Sequence, residues 1–491
     1  MLINLEPLAA LAANNIVDSS IAQNAKANDA ENIVTKSLGV LTEQGIYAFG
    51  LFLATRKRGQ DHSVATSIDN ALRKLLFKKA ANYKPLDFTT FVAGILHNAL
   101  NNDGENEFLS GAKNLQNDKL LELAFYFIAF FKNKSKNYKA LEHLLERKIA
   151  ILNEYYTKKY GKIDVLYSVN YKLENKHSGK ICEYLKSLGI NAKYFVPKYD
   201  SMPRPMDKNA IIEPFFNIYN ANFYKIMVVN SYTLMSLKSS GYKIDAPHAF
   251  VDPILGLYCS RNPLKPSFFS KLSRAKNLSA VASSKSNYIL LKEGFKGRIF
   301  KGGYVSFDLL KPAPKQLDDK ILVAINNTDR LLSIKTELIN LTKYFKIIIR
   351  FHPGQKAPQI ANRIKAALPP SPTLFYDEHS DVQNELTIGA IACISDTSSL
   401  SYTYAISFKR PVILFMPDYD LHTYKGVSFY DKRLHIEYKK GDDLSEAIQK
   451  AKDFDTTSID EYIKDEIYNF GCASKVIAEY IAKKLKRLNT K

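Results

Sequence analysis

The side chains best suited to chemistry fall in four short motifs. The last of them, Ser395-Asp396-Thr397-Ser398-Ser399, follows an apolar run at 390–394 and precedes a helical stretch reaching about residue 408. Hydroxyls and a carboxylate at such a junction supply helix N-cap chemistry. A helix start also gathers free N–H groups and the positive end of the helix dipole, so an anion, usually a phosphate, is its natural guest. The same residues read equally well as a plain cap without a ligand. A second motif, Arg350-Phe351-His352-Pro353, ends an apolar strand. The other two are Pro247-His248-Ala249-Phe250 and Lys301-Gly302-Gly303-Tyr304-Val305-Ser306-Phe307-Asp308. Histidines titrate near neutrality and suit proton transfer or charge stabilisation.

Alternation of short strands and helices positions these motifs. Strands are expected at 163–169, 192–196, 225–230, 278–283 and 298–300, with helices at 178–188, 232–240 and up to 294. After a Pro-Ala-Pro linker within 311–315, a second series sets strands at 320–325, 345–351, 373–376, 390–394 and 412–416. Helices are expected there at 331–342, 360–367 and 400–408, with a helical turn at 382–387. Such alternation implies parallel, doubly wound sheets, and ligands bind them at the carboxyl ends of strands. Before residue 158, apolar residues recur at helical spacing through 33–54, 68–81, 88–100, 119–131 and 138–156. The tail, 444–451 and 458–488, also reads as helical and ends in Lys483-Lys484-Leu485-Lys486-Arg487. The expected fold is therefore α/β: an all-helical region over 1–157, then two Rossmann-type domains over 158–316 and 317–491, a GT-B-like pair.

A net charge of +20 calls for an anionic partner. RNA-binding and helix-turn-helix signatures are missing and the lysines are spread along the whole chain, which argues against nucleic acid. Cys182, Cys259, Cys393 and Cys472 have no paired spacing, so neither a zinc ribbon nor a disulfide framework is expected, and a reducing cytoplasm is. No metal-ligand cluster or cofactor motif is visible. The first basic residue is Lys26, and the early apolar run covers only 5–13, so a secretory signal is not expected. The stretch 120–131 is too short to span a bilayer and contains Glu122.

Taken together, the four motifs resemble the CDP-glycerol glycerophosphotransferase family, the teichoic acid primases and polymerases. Arg350-Phe351-His352-Pro353 looks like that family's Arg-Leu-His-Pro, and Asp396-Thr397-Ser398-Ser399 like its Asp-Tyr-Ser-Ser. The spacing onward to Lys409-Arg410-Pro411-Val412-Ile413-Leu414-Phe415 is similar to Lys-Arg-Pro-Ile-Ile-Phe-Phe. Gly303 to Asp308 is similar to Gly-Tyr-Pro-Arg-Asn-Asp, and His248 stands where the family has His-Gly-Thr-Pro. The resemblance covers about 160–435. Ala249-Phe250 replaces Gly-Thr, and Val305-Ser306 replaces Pro-Arg.

The resemblance implies transfer of a polyol phosphate from a CDP-activated donor to a hydroxyl of a surface glycan or lipid-linked precursor. In that scheme His248 is the base, and His352 assists at the leaving phosphate. Arg350, Asp396, Thr397, Ser398, Ser399 and Gly303 serve the donor side, with Asp396 orienting its loop. A GT-B glycosyltransferase using a nucleotide sugar, such as a CMP-linked acidic sugar, fits the same residues. A non-catalytic partner in polysaccharide assembly is a further reading. The expected location is cytoplasmic, with contact at the anionic inner face of the membrane. Asp308 is expected to be structural, and His379, His422 and His435 carry no pattern. The apolar face of the last helix is expected to pack across the fold, its basic end being left for a membrane surface.

Overall fold

The computed structural model describes residues 136–168, 178–197, 209–213, 218, 221–229, 241–247, 249–251, 277–295, 297–313, 317–356, 358–379, 381–416, 423 and 425–490. The expected helices within 33–131 and at 232–240 lie outside them. A long helix, α1 (Lys136–Tyr160), leads into the first sheet. That sheet comprises β1 (Ile163–Ser168), β2 (Ala192–Pro197), β3 (Ile211–Glu213), β4 (Tyr224–Val229), β5 (Tyr242–Asp245), β6 (Leu278–Ala282) and β7 (Arg298–Lys301). Its helices are α2 (Ile181–Ser187) and α3 (Lys285–Gly294). The second sheet comprises β8 (Lys320–Ala324), β9 (Lys346–Arg350), β10 (Leu374–Asp377), β11 (Ala392–Ser395), β12 (Val412–Phe415) and β13 (His435–Tyr438). Its helices are α4 (Thr328–Ser333), α5 (Lys335–Leu341), α6 (Pro358–Ala367), α7 (Leu400–Phe408) and α8 (Leu444–Lys452). The chain closes with α9 (Thr457–Glu466) and α10 (Ala473–Asn489).

Strand order is β3-β2-β1-β4-β5-β6-β7 in the first sheet and β10-β9-β8-β11-β12-β13 in the second. The named pairs are all parallel. In both sheets the order reverses beside the first strand, so each has a crevice at its carboxyl edge, between β1 and β4 or between β8 and β11. Two such doubly wound sheets in one chain make a GT-B-like α/β arrangement. Central strands such as Ile321-Leu322-Val323-Ala324 and Ala392-Cys393-Ile394-Ser395 are buried along their length because helices cover both faces.

The two sheets share one apolar cluster. It joins Leu278, Ala280 and Phe250 on the first side to Leu322, Cys393 and Leu414 on the second, with Tyr402, Tyr404 and Phe408 of α7 among them. That position explains why α7 is apolar nearly all round: it has no solvent face to keep polar. The helix stops where Lys409 turns left-handed (φ 53°), and Pro411 prevents its continuation.

The last helix returns to the first sheet. Ile477, Ile481 and Leu485 of α10 are buried in the cluster that covers β1, β2 and β4, and Tyr480 stacks on Phe300 at 4.1 Å. Asp308 caps this helix, accepting from the N–H groups of Ala473 (2.9 Å) and Ser474 (2.6 Å). Its apolar face is therefore packed, while Lys483, Lys486 and Arg487 stay exposed. No helix of the described residues is long and apolar enough to cross a membrane.

Several elements differ from the sequence expectation. Strands β3, β5 and β13 were not expected; in β5, Lys243 and Asp245 put charged residues at buried positions of a short strand. The helix expected at 331–342 is two, α4 and α5, meeting at Ile334. The tail is likewise divided at 467–472, where Ile467 bridges to Ser284 and Gly471 has φ 74°. Residues 382–387 form a turn held by the Asn384 side chain, which accepts from the N–H groups of Leu386 and Thr387.

Candidate functional site

At the reversal in the second sheet, the carboxyl ends of β8, β9 and β11 converge. Ser395 closes β11 and its hydroxyl donates to the Ala324 carbonyl at the end of β8 (2.9 Å). Asp396 then turns into the crevice floor. Its carboxylate accepts from the N–H groups of Asn326 (3.0 Å) and Asn327 (3.1 Å), and from Arg330 Nη1 (3.3 Å). Both carboxylate oxygens are thus occupied in shaping the loop between β8 and α4. Asn327 in turn caps α4, its Oδ1 accepting from the Arg330 N–H at 2.9 Å.

The hydroxyls that follow divide into two kinds. Ser398 is buried, with its Oγ 3.1 Å from Ser395 Oγ and its carbonyl accepting from Ser401 Oγ at 2.6 Å. Thr397 and Ser399 are half-buried. Ser399 opens α7 without a side-chain cap bond. The N–H groups of Thr397, Ser399 and Leu400 donate to no acceptor among the described residues, whereas Ser398 N donates to the Asp396 carbonyl at 2.7 Å. Unsatisfied donors at the positive end of a helix dipole suit an anion.

His352 stands on the next strand, just past β9, with its side chain exposed. Its backbone is clamped by Gln355, a residue only 3% exposed. Gln355 Oε1 accepts from His352 N (3.0 Å), and Gln355 N donates to the His352 carbonyl (2.8 Å). Gln355 Nε2 reaches across to the Ile325 carbonyl (3.0 Å) and Thr328 Oγ1 (3.3 Å). One amide side chain therefore ties the His352 loop to the β8–α4 loop, and it carries no motif that sequence reading would single out.

Arg350 faces elsewhere. Its guanidinium pairs with Asp377 and reaches the Asp381 carbonyl at 3.3 Å, so its charge is engaged at the end of β10. Burial works against ionisation of Asp377, but the Arg350 charge and hydrogen bonds from His379 outweigh it and hold the carboxyl below the usual carboxylate range. Gly303 packs against Tyr468 and Ala473. It has φ 93°, and a Cβ there would lie 2.3 Å from the Tyr468 carbonyl, so glycine is required for packing under the chain leading to α10.

His248 lies outside the described residues. Its neighbour Pro247 is buried, and Phe250 packs at ring-centroid distances of 5.1 Å from Phe307 and 5.9 Å from Tyr402. Phe250 thus meets α7 within its first turn. His435, unassigned in the sequence, is buried beside the same turn, with Nε2 3.3 Å from the Ser401 carbonyl and Nδ1 accepting from Asp431 N at 3.0 Å. Among the described residues, no group of histidine, cysteine and acidic side chains is placed to hold a metal ion.

No protein-family model matches the chain, and no curated protein matches it. Solved structures do. The wall teichoic acid polymerase TagF, solved with CDPG, is 18% identical, with 71% of this chain and 95% of that one covered at a TM-score of 0.42. UDP-GlcNAc 2-epimerase from Methanocaldococcus jannaschii is 14% identical over 66% of this chain and 99% of that one, at 0.42. MurG from Acinetobacter baumannii is 11% identical over 66% and 99%, at 0.34.

Proposed function

We propose that the protein transfers a polyol phosphate, of the glycerol phosphate kind, from a CDP-activated donor to a hydroxyl of a surface glycan or its lipid-linked precursor. The observation that carries this reading is the unsatisfied start of α7, with free N–H groups at Thr397, Ser399 and Leu400 in the crevice between β8 and β11. The motif resemblance supplies the donor class.

In this reading, one donor phosphate sits on the Thr397, Ser399 and Leu400 N–H groups and the Ser399 hydroxyl. Asp396 and the buried Ser398 hold the turn in shape beneath it, without contacting the phosphate. His352, held by Gln355, donates to the leaving phosphate and stabilises its charge. His248 takes the proton from the acceptor hydroxyl, whose oxygen attacks the outer phosphorus as the bond to CMP breaks. No covalent intermediate is needed, because positioning and charge neutralisation suffice. The net charge of +20 and the exposed basic end of α10 support work at the anionic inner face of a membrane, where a lipid-linked acceptor would lie.

The test is thermal stability with CMP, CDP, CDP-glycerol, UDP and GDP, for wild type and Ser399→Asp. The aspartate favours the helix dipole but places negative charge where the phosphate belongs. A cytidine-specific rise, about 2.7 kcal/mol of stabilisation at a hundredfold excess over Kd, that Ser399→Asp loses supports the reading. A uridine or guanosine preference moves the protein to nucleotide-sugar glycosyl transfer. No response to any nucleotide overturns the enzyme reading.

A further inference from the structure

The segment from Ala324 to Thr328, which joins β8 to α4, is gripped at every residue, and from two sides. From the β11 side, Ser395 Oγ donates to the Ala324 carbonyl (2.9 Å), and the Asp396 carboxylate accepts from Asn326 N (3.0 Å) and Asn327 N (3.1 Å). From the β9 side, Gln355 Nε2 donates to the Ile325 carbonyl (3.0 Å) and to Thr328 Oγ1 (3.3 Å). Strand β8 lies between β9 and β11, so this segment stands between the two loops that hold it. Gln355 uses its remaining polar atoms on His352. Its Oε1 accepts from His352 N (3.0 Å), and its own N–H donates to the His352 carbonyl (2.8 Å). The carboxamide is only 3% exposed, so water cannot replace these partners if the side chain shifts. Asp396 is followed directly by Thr397, and an unbroken set of hydrogen bonds therefore runs from His352 to the turn that opens α7.

We propose that Gln355 is a positioning residue that couples the placement of His352 to the turn opening α7, through residues 324–328, so that the two act on a diphosphate donor as one rigid unit. The inference rests on the reading of His352 and the α7 start as donor-phosphate contacts, and adds the element that sets their spacing. Rate in phosphoryl transfer depends on such spacing, since little covalent chemistry is left for the protein to do. Glutamine is suited to the task because one side chain offers an acceptor to His352 N and two donors to the neighbouring loop. Glutamate keeps the acceptor without the donors, and methionine keeps the shape without either. A Gln355 that only steadied its own turn would leave the bonds from Asp396 to residues 326 and 327 unaffected when it is replaced.

The test combines amide hydrogen exchange of the full chain with CMP release from CDP-glycerol. In Gln355→Met, exchange at Asn326 and Asn327 should quicken about tenfold, although their acceptor Asp396 is untouched, while amides of β1 and β4 keep wild-type rates. Asp396→Asn, which leaves Gln355 in place, should quicken exchange at His352 in return. For CMP release, Gln355→Met should lower kcat about tenfold with the KM for CDP-glycerol within about twofold of wild type, because the N–H groups of α7 remain. Gln355→Glu should match Gln355→Met at residues 326 and 327 and in kcat; wild-type turnover with glutamate would mean that the bond to His352 suffices, and overturns the coupling. Unchanged exchange at 326 and 327 in Gln355→Met overturns it as well. A wild type that releases CMP, with Gln355→Met equally active, removes the role of Gln355 alone. Coupled exchange in a wild type that releases no CMP removes the donor reading, and the positioning role with it.

Discussion

The ring of Phe250 lies 5.9 Å from that of Tyr402, joining the strand-end segment of the first sheet to the first turn of the helix that opens at Ser399. Phe250 is fully buried, and it also meets Tyr304 and Phe307. This contact ties α7 to the first sheet within the apolar cluster that both sheets share. Phe250→Ala should cost about 3–5 kcal/mol, and Phe250→Leu roughly 1–2 kcal/mol, measured by denaturant unfolding. Under the proposed function, Phe250→Leu also lowers turnover while leaving the KM for the donor nearly unchanged. An unaltered kcat with a raised KM would disconnect this contact from the acceptor side.

Asp396 holds two loop N–H groups and Arg330 at once. Asp396→Asn removes the charge and one acceptor, so the β8–α4 loop loses its anchor and Arg330 its partner. The expected loss is about 2 kcal/mol, together with a smaller nucleotide-induced rise in melting midpoint. A variant as stable as wild type would show that the loop stands without the carboxylate.

Gly303 provides a control against over-reading the sequence motif. Its φ of 93° and the nearby Tyr468 carbonyl leave no room for a side chain. Gly303→Ala should therefore destabilise by roughly 2–4 kcal/mol, while the folded fraction keeps wild-type nucleotide affinity. A stable protein with weakened nucleotide binding would restore Gly303 to the phosphate site.

His435 makes stability depend on pH. Burial pushes its pKa from 6.5 down to about 4, against the opposing pull of Asp431 and the Ser401 carbonyl. The folded ring stays neutral while the unfolded chain takes a proton below about 6.5. Its contribution is therefore intact above pH 6.5 and lost as pH falls from there to about 4, by roughly 3 kcal/mol in all. Urea unfolding across that window should show the decline, and His435→Gln, less stable at neutral pH, should show a shallower one.

Much of this was legible in the chain because buried parallel strands and helix punctuation leave local marks. The apolar runs before Ser395 and Arg350, the hydroxyl-rich start of α7 and the stop at Lys409 to Pro411 are each set by a few adjacent residues, through backbone sterics and capping. Neither the resemblance nor the spacing revealed which side chains are spent on structure. Arg350, Asp396 and Ser398 carry the chemistry expected of ligand contacts, yet Asp377, Asn326 and Ser395, all distant in sequence or turned inward, engage them. Gln355 and the Asp377–His379 pair gain meaning only from neighbours on other strands. Strand β5 escaped notice because Lys243 and Asp245 are buried against the pattern. The sequence by itself determined most of the buried strands and the punctuation at both ends of α7, since those follow from local propensity and periodicity. Only the tertiary structure decided which polar groups remain free at the crevice, because a hydrogen bond is satisfied by whichever partner folding brings within about 3 Å.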